Sequence, residues 1–148
     1  GRAFANAELA ASQELPLGGT TFISMNDREK EAVVPIAKEL SALGFQLIAT
    51  AGTRKVLQAR GLDVGLVYKV HEGRPHVLDA IKNKEIQLVI NTPSGATAQE
   101  DDRMIRRTAL DYKIPTITTL SGARATIKAI RSLQTQPLTV KALQDYIV

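Results

Sequence analysis

From Thr20 onward the chain alternates short apolar runs with stretches of helical periodicity. Thr21-Phe22-Ile23-Ser24 reads as a first strand. Asn26 and Glu29 follow at capping-box spacing, but Pro35 would cost about 3 kcal/mol inside a helix. The pattern therefore predicts a turn over Asp27 to Glu31 and a regular helix from Val34. Pro35 is then its first residue, and Gly44 lies just past its end. Lys30 is left at the mouth of this unit. Phe45 to Ala49 is the second predicted strand, and Thr53 to Arg60 a short helix stopped by Gly61. Val64 to Tyr68 is the third strand. The loop His71-Glu72-Gly73-Arg74 then leads to Pro75, read as the first residue of a helix reaching Asn83. Ile86 to Ile90 is the fourth strand, Glu100 to Tyr112 a helix, and Ile114 to Thr118 the fifth strand. Ser121 is placed to cap a helix running to Leu133, and Thr139 to cap a final one.

Five strands alternating with helices specify an α/β fold, with a parallel sheet covered on both faces: a three-layer α/β/α sandwich. Strands buried on both faces should be apolar throughout rather than alternating, and most of these are. With right-handed crossovers, a doubly wound order such as 3-2-1-4-5 is the natural choice. Ligands of such sheets bind beyond the carboxyl ends of the strands.

The residues at those ends are polar in all five cases. Asn26, Asp27 and Lys30 follow strand one. Thr50, Gly52 and Thr53 follow strand two, and Lys69 strand three. Asn91, Thr92, Ser94 and Gly95 follow strand four. Thr118 and Thr119 close strand five. Each has a plain structural reading: a threonine as turn residue or cap, Gly52 as a source of positive φ, the lysines as solvated surface groups. Together they place two ammonium groups, several hydroxyls and helix N-termini on one sheet edge. That set suits a phosphate or carboxylate.

Composition narrows the choice. The 148 residues fit one domain, and the 44% hydrophobic and 23% charged content is that of a globular protein. A net charge of +4 favours an anionic ligand. With aromatics at only 4%, there is no stacking platform for nucleic-acid bases. No apolar run approaches the ~18 residues of a membrane span, and no signal peptide is visible, so no membrane association and a cytoplasmic location are expected. The chain has no cysteine, hence no disulfide scaffold and no thiolate metal site. His71 and His76 lack partners at ligand spacing, so no metal site is expected. Gly-x-Ser-x-Gly and Walker A motifs are missing. Ser94 has no evident base, and Arg103, Arg106 and Arg107 read as an exposed helix face. Ala3 to Ala11 is helix-forming in composition, and Pro16, Gly18 and Gly19 interrupt it. Residues 1–18 are thus expected to be a lead-in, and 19–148 the domain.

Five segments together resemble one family closely. They are Ser24-Met25-Asn26-Asp27-Arg28-Glu29-Lys30, Ala49-Thr50-Ala51-Gly52-Thr53, Lys69-Val70-His71-Glu72-Gly73-Arg74-Pro75-His76, Ile90-Asn91-Thr92-Pro93-Ser94-Gly95, and Ile105 through Pro115. The chain resembles the C-terminal regulatory domain of carbamoyl phosphate synthetase large chains, which has the methylglyoxal synthase-like fold. Gly1-Arg2-Ala3-Phe4 resembles the segment leaving the preceding ATP-grasp module. The resemblance implies an allosteric domain without chemistry of its own, regulating synthesis of carbamoyl phosphate from bicarbonate, glutamine and ATP for pyrimidines and arginine. Its implied effectors are UMP and IMP, with ornithine near the domain boundary. Its implied phosphate contacts are Lys30, Thr50, Gly52, Thr53, Lys69, Asn91 and Thr92, with Ser94, Gly95, Thr118 and Thr119 as further candidates. Implied partners are the rest of the large chain and the glutaminase small chain. The parent enzyme's ATP, Mg or Mn, and K belong outside this segment, and no cofactor is expected within it. Pro93 and Thr116 depart from the family pattern, so nucleotide binding is better supported than an ornithine response.

The alternative is a lyase of the methylglyoxal synthase type, acting on dihydroxyacetone phosphate through the same phosphate cradle. Its catalytic Asp follows a Gly-Gly in the loop after strand three. Here that position holds Arg74, and a guanidinium cannot accept the substrate proton. Glu72 is the weaker candidate for a substitute base, and Asp79 reads as structural.

Overall fold

The computed structural model describes residues 15–92 and 99–135 of the 148. Five parallel strands form one sheet: β1 (Thr20–Ser24), β2 (Gln46–Ala49), β3 (Val64–Leu66), β4 (Leu88–Asn91) and β5 (Thr116–Ile117). Their order is β3-β2-β1-β4-β5, the doubly wound arrangement expected from the sequence. Between and after them lie α1 (Val34–Ala42), α2 (Ala51–Ala59), α3 (Val77–Lys82), α4 (Gln99–Asp111) and α5 (Leu120–Thr135), with a 3₁₀ turn at Val70–Glu72.

The central strands are apolar over most of their length because helices cover both faces of the sheet. Ile23, Leu47, Ala49, Leu88 and Ile90 join Val34, Leu40, Leu57, Ile127 and Ile130 in one cluster, under α1, α2 and α5. Phe22 and Val89 join Val77, Leu78, Ile81, Ile105 and Ala109 in the other, under α3 and α4. Two cores on opposite faces of one sheet make the three-layer sandwich. The register that matters for the site is Ser24 beside Asn91, with Ile23 beside Ala49.

Several boundaries differ from the sequence expectation, each for a local reason. Asp27 to Val33 form turns, and α1 begins at Val34 as expected. Pro35 is its second residue rather than its first, where the N–H is still dispensable. Helix α2 starts at Ala51, two residues before Thr53, because extended Thr50 (φ −69°, ψ 160°) is already its N-cap. Pro75 does not open α3. The Arg74–Pro75 peptide is cis, and the helix starts after His76, whose N–H donates to Asp79 Oδ2 at 2.9 Å. Strand β4 is shifted two residues at its start, leaving Ile86 to pack in the α3/α4 core. Strand β5 is short and follows Pro115, which has no N–H to donate and only accepts, from Val89. Residues 1–14 of the lead-in expected over 1–18, the loop positions Pro93, Ser94 and Gly95, and the helix expected after Thr139 lie outside the described residues.

Candidate functional site

The sheet register lines up three polar side chains at the carboxyl edge. Phe22 points into the α3/α4 core, so Ser24, two residues on, shares its face, as does Asn91 two residues after Val89. Thr50 continues the row beyond β2, its Oγ1 lying 3.2 Å from Ser24 Oγ. All three residues are buried. Asn91 is wholly buried, and among the described residues neither its amide nitrogen nor its oxygen has a hydrogen-bond partner. Buried polar atoms are nearly always bonded, so this carboxamide calls for an explanation.

The other hydroxyls fasten the loop after β1. Met25 N–H donates to Thr53 Oγ1 at 3.1 Å, and Asn26 N–H to Thr92 Oγ1 at 2.9 Å. Thr92 Oγ1 also lies 3.8 Å from Met25 Sδ. Asn26 closes the following turn: its Oδ1 accepts the Glu29 N–H at 3.1 Å, and its Nδ2 donates to Glu29 Oε1 at 2.7 Å. Thr53 and Thr92, expected as ligand contacts, thus hold the loop that carries Lys30. A hydroxyl offers one donor and two acceptor positions, so accepting a backbone N–H still leaves Thr53 a proton to donate outward.

Lys30 reaches back over the first turn of α2. A Cβ built on Gly52 would lie 2.9 Å from Lys30 Nζ and 3.3 Å from its Cε. Gly52 therefore matters as empty space beneath an ammonium group. The positive-φ reading is not met, since Gly52 is a helical residue outside the left-handed set. Lys30 Nζ also pairs with the Asp27 carboxylate. That carboxyl is held below its usual range, first by the Lys30 hydrogen bond, then by the Lys30 charge; desolvation opposes them, and the Lys69 charge adds the least. Lys69, from a different loop, thus contributes to the same field, but Lys30 dominates it. Lys69 caps the 3₁₀ turn, and its N–H donates to Glu72 Oε1 at 2.8 Å.

The fifth strand end contributes differently. Thr118 follows β5 at the level of Asn91, since Ile117 pairs with Ile90. Thr119 Oγ1 accepts the Gly122 N–H at 3.0 Å, so Thr119, not Ser121, caps α5. Thr119→Ala is expected to lower stability by about 1 kcal/mol in urea denaturation, the usual cost of a lost N-cap. An unchanged midpoint would show the cap to be dispensable.

Three further contacts involve residues weighed above for their chemistry. His71 Nδ1 lies 2.5 Å from Asp101 Oδ2, tying the 3₁₀ turn to α4 across thirty residues of sequence. Glu72 is engaged as the partner of Lys69 N–H, and Asp79 caps α3. The Asp79 carboxyl is likewise held low, chiefly by the His76 N–H it accepts. Both carboxylates thus have a structural partner in the backbone. Among the described residues no group of three or more His, Asp or Glu side chains is placed to hold a metal ion. No described helix is long and apolar enough to cross a membrane.

Comparison with known proteins agrees with this geometry. The family model for the MGS-like domain matches residues 32–118. The carbamoyl phosphate synthase large chain of Nostoc sp. is 62% identical over 146 residues, which is 99% of this chain and 13% of that protein. The arginine-specific chloroplastic large chain of Oryza sativa is 51% identical over 145 residues, 97% of this chain and 12% of that one. The large chain of Archaeoglobus fulgidus is 44% identical over 147 residues, 99% of this chain and 14% of that one. The chain thus spans about an eighth of the length of these relatives. The crystal structure of methylglyoxal synthase from Elizabethkingia anophelis shares the fold, with a TM-score of 0.61 at 19% identity, covering 76% of this chain and 79% of that one. By the family match, by these relatives and by its strand order, the chain belongs to the MGS-like domain family.

Proposed function

We propose that this domain is an effector-binding, regulatory part of a carbamoyl phosphate synthase large chain, and that the effector is held by its phosphate. The observation that supports this best is the convergence at the N-terminus of α2. Lys30 Nζ stands over Gly52, and both Lys30 and Lys69 act on one exposed carboxylate. Backbone N–H groups, a helix dipole and the Lys30 ammonium group at one point, with the Lys69 charge nearby, suit an oxyanion. The hydroxyls of Thr50, Thr53 and Thr92 border it, and the Asn91 carboxamide offers an unused donor and acceptor. UMP is the first choice of effector and IMP the second, with an ornithine response secondary because Thr116 departs from the family pattern. The remainder of the large chain is the domain's proposed partner and the receiver of its signal, in company with a glutaminase chain in the cytoplasm. ATP and the metal ions act elsewhere in that enzyme.

The lyase reading is not favoured. Arg74 stands where the base would be, and Glu72 is occupied at the Lys69 N–H. Calorimetry of the chain with UMP and IMP tests the proposal, with binding of at least one expected at millimolar concentration or below. No heat from either nucleotide would remove the effector claim. Methylglyoxal formed from dihydroxyacetone phosphate would restore the lyase.

A further inference from the structure

Lys30 and Asp27 share one turn, three residues apart, but they are held very differently. The Lys30 side chain is 20% exposed and the Asp27 side chain 94%. The lysine lies over the first turn of α2, its Nζ and Cε close to where a Cβ on Gly52 would stand. A cation there faces the positive end of the helix dipole and is disfavoured unless an anion lies beside it. Asp27 supplies that anion, bonding Lys30 Nζ and lying in the field of Lys69 as well. One rotatable, solvent-facing carboxylate thus engages Lys30, the lysine seated over the helix, and lies within reach of the Lys69 charge. A second sign that the place is built for a ligand is independent of the charges. Asn91 is wholly buried on the face it shares with Ser24, and both its side-chain polar atoms lack a partner among the described residues.

We infer that Asp27 is an internal competitor for the effector's phosphate. Its two oxygens, sharing one negative charge, resemble an edge of the ligand's head group. It neutralises Lys30 while the site is free and turns out into solvent when an oxyanion arrives. The carboxylate therefore raises the ligand concentration at which the domain responds. Left in place, it would stand close to the bound phosphate and repel it. This inference rests on the phosphate-site reading and adds the residue that sets its threshold.

The test is calorimetric titration of the chain with inorganic phosphate and with UMP, for wild type, Asp27→Asn and Asp27→Glu. Circular dichroism would confirm that each is folded. Asp27→Asn is expected to bind both ligands about two- to fivefold more tightly, in keeping with the modest worth of an exposed ion pair. Added salt should shrink the gain, because it screens an exposed carboxylate. Asp27→Glu keeps the competing charge and should stay near wild type. Equal or weaker binding by Asp27→Asn, with wild type still binding, would overturn the competitor role and cast Asp27 as a support for Lys30. Tightening by Asp27→Glu equal to that of Asp27→Asn would also overturn it. No binding by wild type and variant alike would instead remove the phosphate site itself.

Discussion

Replacing Lys30 and Lys69 together with alanine is expected to abolish measurable UMP binding. Each lysine offers a charge-assisted hydrogen bond worth roughly 1.5–3 kcal/mol, or about one to two powers of ten in affinity. The two losses will not add simply, because the groups share a ligand. Lys30→Ala should have the larger effect, since that ammonium is half-buried and already seated over α2. Stability should move little. Without ligand, Lys30 is balanced only by an exposed carboxylate, and losing both it and the unfavourable approach to the helix dipole nearly cancels. Lys30→Met retains most of the apolar stem and separates charge from packing. Calorimetry beside thermal denaturation reads both quantities. Unchanged affinity in the double variant would mean that the phosphate is held elsewhere.

The fold was legible because the sheet is buried on both sides. Runs such as Leu88-Val89-Ile90 are apolar at every position, each residue feeding one core or the other in turn. Pro35 and Gly44 bounded α1 within a residue. The boundaries that moved were those set by a side chain's choice of partner. His76 and Asp79 cap α3 between themselves, so Pro75 falls outside the helix. Thr119 takes the capping role expected of Ser121 by accepting the Gly122 N–H. The same limit applies to the site. Polar residues at five strand ends were evident from the pattern, and with them the sheet edge on which they gather. That Thr53 and Thr92 would spend acceptor capacity on Met25 N–H and Asn26 N–H was not, because it depends on how closely β1, β2 and β4 approach. Gly52 shows the difference most clearly. Sequence gives a glycine in a turn, whereas its use is the room it leaves for an ammonium group contributed from twenty-two residues earlier.

Asn91→Leu is expected to stabilise the protein and to weaken nucleotide binding at the same time. The position is fully buried at the end of a central strand, and the carboxamide bonds to nothing among the described residues. A buried, unsatisfied polar group costs roughly 1–3 kcal/mol. Leucine has a similar length, removes that cost, and extends the apolar face that Val89 begins. A gain of about 1–2 kcal/mol in urea denaturation follows, with the backbone pairing of Asn91 to the ladder untouched. Binding moves the other way. If the carboxamide is kept unpaired so that a ligand can complete it, its removal should weaken UMP affinity by about tenfold or more, the worth of a buried hydrogen bond in a dry site. Opposite signs in the two measurements would identify Asn91 as a group maintained at the expense of stability for the sake of the ligand. A less stable variant with full affinity would mean instead that the side chain supports the sheet edge and takes no part in binding.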